Sequence, residues 1–254
     1  MRVLRLLGLP LLATALSTAP PALAHDTWFA PQPGGPLALG TGNRYPVQET
    51  AVGREYLERQ GCRTPDGAER TMQPLHHTGQ ALLLRPAPQA RSCWAQLVPL
   101  EIELAPPLVA LYLDEIRAPA WARAAWARQQ AEGLLWRERY VKHARVDLAP
   151  GPQPAPMAMD IVRSVAADGS HRFQLLHEGR PLAGQALELI AGNASFGVWR
   201  RSDAEGVVSV PALPPGRWLL RGTHLRLADD GRWHSAFVTL AFEVNSSALR
   251  VARR

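Results

Sequence analysis

Turn residues punctuate the second half of this chain. His171 to Leu176 reads as a strand, and Glu178-Gly179-Arg180-Pro181 reads as a turn. Gln185 to Ile190 returns as a strand. Val198 to Arg201 leads into the turn Asp203-Ala204-Glu205-Gly206 and then into Val207 to Val210. Pro214-Pro215-Gly216 turns into Arg217 to Leu225, and Asp229-Asp230-Gly231 turns into Trp233 to Val244. Proline pre-sets φ, glycine tolerates positive φ, and Asp closes local turns, so runs bounded in this way build sheets and not long helices. From about Met157 to Arg254 the expectation is an all-β sandwich.

The first half is less regular. Leu37 to Thr41, Ala81 to Arg85 and Trp94 to Glu103 read as strands, and Leu100, Ile102 and Leu104 alternate as on a half-buried strand. Pro106 to Glu132 differs. Leu108, Leu111, Tyr112 and Glu115 have helical spacing, Pro119 can open a second helix, and Gly133 can end it. The alternation of Arg, Ala and Trp there also suits a membrane-surface helix, but a helical cap over one end of a β-sandwich is the favoured reading. Four prolines between Ala149 and Pro156 remove backbone donors and favour an extended linker. The whole is expected to be mostly β: two β-sandwich domains, 25–148 and 157–254, the first carrying the helical insertion at about 106–132.

The N-terminus reads as an export signal. Arg2 and Arg5 precede an apolar run from Leu6 to Leu16, and Ala22-Leu23-Ala24 forms a small-x-small cleavage site. That run is shorter than the roughly 20 residues a membrane-spanning helix needs, and no later stretch is apolar enough, so an integral membrane protein is not expected. Export points to an oxidising compartment, where Cys62 and Cys93 can close one disulfide; the alternative is two buried thiols. Removing Arg2 and Arg5 from the 28 basic residues leaves 26 against 22 acidic, a charge near +4. The arginines are scattered without a run of like charge, which argues against a nucleic-acid partner.

A cut after Ala24 leaves His25-Asp26-Thr27-Trp28 at the front. An N-terminal histidine offers both its α-amine and imidazole Nδ1 to one metal ion, in a six-membered chelate ring. An internal histidine cannot do this. Nitrogen donors of this kind suit nickel, cobalt, copper or zinc. The plain alternative is a histidine that cleavage happens to leave there.

Several segments together carry a resemblance. They are Ala24-His25-Asp26-Thr27-Trp28, Leu111-Tyr112-Leu113-Asp114-Glu115 with Arg139-Tyr140-Val141-Lys142, and Gly179-Arg180-Pro181-Leu182-Ala183-Gly184. Asp203-Ala204-Glu205-Gly206 with Pro215-Gly216-Arg217-Trp218 follows, then Thr223-His224 and Trp233-His234-Ser235. In this order they resemble the periplasmic proteins grouped as domain of unknown function 4198, described as periplasmic components of cobalt or nickel uptake. The resemblance implies a second domain that is immunoglobulin-like or transthyretin-like, a strand after the helical segment, and a role near divalent metals. His234 departs from it by standing where an acidic residue is expected, and Pro65 to Gln89 matches nothing in it.

Two nitrogens rarely complete a site. His224 is the first candidate for a third ligand, His234 the second, and Asp26 can add an oxygen or orient an imidazole. Each has a bland counterpart: a half-exposed strand histidine, or a solvated carboxylate. His76-His77 is expected in a solvated loop between Pro74 and Gly79, while His143, His171 and His177 read as ordinary strand residues. Signatures for a catalytic serine, a zinc protease or a phosphate loop are lacking. The leading expectation is an exported periplasmic accessory protein that binds a divalent transition metal through His25 and passes it to an ABC- or ECF-type permease component. The alternatives are a non-catalytic adhesion or protein-interaction module, and a copper-dependent oxygenase with a histidine brace.

Overall fold

The computed structural model describes residues 26–151 and 153–245. The signal segment 1–24 and His25 therefore lie outside the described residues. The described chain is mostly β and forms three layers. A nine-stranded central sheet runs in the order Val198–Arg201, Ala186–Ala191, Gly216–Leu227, Trp233–Val244, Trp136–Asp147, Ser92–Leu97, Leu57–Arg63 and Glu69–Arg70, with Leu100–Leu104 also paired to Trp136–Asp147. A five-stranded sheet led by Asp26–Pro31 and Leu37–Gly42 covers part of one face, and a four-stranded sheet built on Met159–Val165 and His171–His177 covers the other.

Strand alternation separates the two cores. Ala144, Val146, Leu219 and Ala241 point one way and pack with Trp28, Phe29, Leu37 and Leu39. Their neighbours Leu220, Val238, Leu240 and Phe242 point the other way, against Ile161, Phe173 and Leu175. The two sandwiches thus share their middle sheet. The join is the parallel pairing of Trp136–Asp147 with Trp233–Val244, in register from Glu138 opposite Trp233 to Asp147 opposite Phe242. At about 3.3 Å per residue each of these 12-residue strands runs roughly 40 Å.

The Pro-rich segment between the regions is held in place. The Arg91 guanidinium donates to the Pro150 carbonyl at 2.7 Å, the Ala155 amide donates to Asp160 at 2.7 Å, and Ala155 and Met157 pack on Trp94.

Helices α1 (Pro106–Glu115) and α2 (Ala120–Ala131) form the cap expected at one end. They cover the central sheet beyond the five-stranded layer, burying Val109, Leu113, Ala122 and Trp126 against Trp136, Trp233 and Phe237. The Trp136 and Trp233 rings stack with centroids 4.3 Å apart. Gln129 of α2 accepts from the Trp233 indole at 2.7 Å and donates to the Gly231 carbonyl, which ties the cap to the hairpin. Among the described residues no helix is long and apolar enough to cross a membrane.

The turns follow the local chemistry. Asp203 accepts from the amides of Glu205 and Val207, and Gly206 sits at φ 72°, where a Cβ would fall 2.8 Å from the Leu182 amide nitrogen. Cys62 and Cys93 face each other on paired strands, form a disulfide, and are fully buried. Two expectations differ locally. Trp94 to Glu103 is split into Ser92–Leu97 and Leu100–Leu104, because Pro99 cannot donate to a ladder. His76 and His77 end the strand Gln73–His77 and do not lie in a loop. That strand is at the sheet edge, where the missing amide of Pro74 is tolerated.

Candidate functional site

The N-terminal strand begins at Asp26, which is 8% exposed. Thr239 donates from its hydroxyl to the Thr27 carbonyl, and Trp28 packs edge-on against Tyr45 in the first core, so the strand Asp26–Pro31 is fixed to the body. Arg221, on the central strand Gly216–Leu227, donates to Asp26 and to Glu188, with 2.6 Å to the latter. Burial opposes the charge on Arg221, but the Asp26 and Glu188 carboxylates outweigh it and push its pKa up. Burial also raises the pKa of Glu115, against the pull of Arg221. Glu115, Asp26 and Arg221 border a cleft of about 20 Å³, room for about one water. One oxygen of Asp26 is therefore committed to a guanidinium, which offsets the negative charge a metal would draw on.

His224 does not join Asp26. It lies three residues from Arg221 on one strand, so its side chain leaves the opposite face of the sheet. There its ring meets His177 across the second sandwich, with centroids 4.8 Å apart. Burial pushes the pKa of His224 down to about 4, and His177 and then Arg226 add to the effect. The ring is neutral at pH 7 and its lone pair is available. His143 shares this face. Its Nδ1–H donates to the Phe237 carbonyl at 2.9 Å, its Nε2 is buried without a partner, and burial lowers its pKa to about 4. His234 is also on this face, paired in register with Arg226. Burial, then Arg226, with Arg139 and Arg232 further down, lowers its pKa, and these cations repel a metal.

The four candidates thus divide. His25 lies outside the described residues, Asp26 is on one face, and His224 and His234 are on the other. Among the described residues no three His, Cys, Asp or Glu side chains are grouped to hold one ion. The close imidazole pair is His177 with His224. Sequence reasoning treats His177 as ordinary because its partner lies 47 positions away on a different sheet, where no local spacing can announce it.

The fold and this site define a disulfide-bonded, three-layer β protein with two imidazoles facing each other across a sandwich. No family model matches the chain, and no curated protein matches it.

Proposed function

We propose that the protein is an exported, periplasmic binding protein for a divalent transition metal, and that it serves as an accessory to a metal permease. The observation that carries this reading is the 4.8 Å approach of the His177 and His224 rings. Imidazole is the commonest protein ligand for such ions, and two rings from separate sheets supply two donors that only the folded chain brings together. Nickel and cobalt follow from the resemblance to the uptake components, while donor chemistry also accepts copper and zinc. The disulfide fits an oxidising compartment. With the signal cut after Ala24, the amine and imidazole of His25 form a second donor set next to the fixed Asp26. The copper-oxygenase reading needs a second histidine beside His25, and among the described residues that line the cleft at Asp26 there is none.

Calorimetric titration of nickel, cobalt, copper and zinc tests this in three forms: the native N-terminus, one with an extra residue before His25, and His224→Ala. Loss in the second form assigns the metal to the N-terminus, and loss in the third assigns it to the imidazole pair. Equal and negligible binding by all three overturns the metal reading.

A further inference from the structure

A separate cavity of about 680 Å³ opens where the central strands Trp136–Asp147 and Trp233–Val244 end and both outer layers overhang them. Its size is that of a small-molecule pocket. Pro46, Val165, Leu213 and Phe242 give it largely apolar walls. Three buried polar side chains also border it: Asp147 and His171 at 4% exposure and Arg163 at 2%.

These polar groups are not equally satisfied. Arg163 lies with its guanidinium carbon 4.5 Å from the Phe242 ring centroid. Its Nε reaches Asp147 only at 3.4 Å, because the other oxygen of Asp147 accepts from Arg145 at 2.9 Å. That Nε contact is the one by which the guanidinium is tied to Asp147, and Arg163 also borders the cavity. The Nδ1 of His171 is buried without a partner, and its ring is held by Phe173 and Phe242. Burial, helped by Arg163, lowers the His171 pKa to about 4, which leaves a neutral ring. A buried ring nitrogen without a partner is costly, and a guanidinium at a cavity wall matches a carboxylate in a two-bond fork.

We infer that this cavity binds a small organic acid, with its carboxylate on Arg163 and His171 and its apolar body against Phe242, Leu213 and Pro46. Inorganic phosphate offers the same head-group chemistry but leaves the apolar walls uncovered, so the acid is the better fit. This site is independent of the imidazole pair and of any metal.

Fluorescence titration of the full chain with a dansyl-labelled undecanoic acid tests the inference, with the matching alcohol and inorganic phosphate as competitors. The acid should bind in the micromolar range, the alcohol about tenfold to a hundredfold more weakly, and phosphate should not displace the probe below millimolar concentration. Arg163→Met removes the anchor but also disturbs a buried ion cluster. Val165→Trp, which fills the cavity from its rim, and His171→Phe, which keeps the ring packing, are the decisive variants. Val165→Trp should abolish binding, and His171→Phe should weaken it severalfold. Equal affinity for acid and alcohol, binding untouched by Val165→Trp, or no binding at all overturns the inference.

Discussion

Arg145 donates to Asp160 at 2.9 Å, with both side chains about 1% exposed. Arg145 lies two residues from the end of the first region's last strand, and Asp160 is the second residue of the second region's first, so the contact closes over the Pro-rich segment between them. Asp147 takes the Nε of Arg145 and faces Arg163, which makes two cations and two anions sealed together. Burial opposes the charge on Arg145, but Asp147 and Asp160 outweigh it and raise its pKa.

Removing one member leaves a buried charge uncompensated. Arg145→Met and Asp160→Asn should each cost about 3–5 kcal/mol, read from urea unfolding at pH 7. The double variant should cost less than the sum, because the loss of one charge removes the reason to pair the other.

Glu138, 2% exposed, accepts from the Tyr112 hydroxyl at 3.0 Å, from the Trp136 indole at 2.7 Å and from the Ser235 hydroxyl. Glu138→Leu strands three donors at the base of the helical cap and should destabilise the protein by about 3 kcal/mol or more. Glu138→Gln keeps an oxygen for the indole and turns its amide to the two hydroxyls, which can rotate to accept. It should retain most of the stability. Equal losses for the two variants in thermal melts would show that volume, not donor satisfaction, governs this site.

The disulfide closes a loop with a sequence separation of 31. Chain entropy puts its contribution at about 3–4 kcal/mol. Cys62→Ala with Cys93→Ala should lower the melting temperature of the oxidised protein, and added dithiothreitol should then have no further effect on the double variant.

His143 keeps a folded pKa near 4 against about 6.5 when unfolded. The unfolded chain takes up a proton between those values that the folded chain refuses, so stability is complete above pH 6.5 and falls as pH drops toward 4. This one group contributes a slope of up to about 1.4 kcal/mol per pH unit. Burial raises the pKa of Glu138 and so works in the opposite direction. The clean readout is therefore a difference: His143→Asn, whose amide nitrogen can replace Nδ1 at the Phe237 carbonyl, should flatten the pH dependence of the unfolding free energy relative to the parent chain.

Local chemistry made much of the fold legible. Turn residues marked the strands from His171 to Val244, and helical spacing with Pro119 and Gly133 located the cap. Export cues drew attention to Cys62 and Cys93. Trp136–Asp147 is different. One of its faces carries the buried Glu138 and the half-buried Lys142, the other the buried His143, Arg145 and Asp147. Alternation of apolar and polar residues cannot mark a strand whose buried positions are charged. Resemblance implies a strand there; the hydrophobic pattern does not.

The site divides in the same way. The sequence alone determines which residues can ligate a metal, and that a cut after Ala24 frees the amine of His25. It says nothing of faces across a layered sheet. Period-two alternation places Asp26 with Arg221 on one side and His224 with His177 on the other, and the parallel pairing of Trp136–Asp147 with Trp233–Val244 fuses both halves around one sheet. Those partners are many residues apart along the chain. Only the packing of three layers, driven by two apolar cores on opposite faces of that sheet, decides which of them meet.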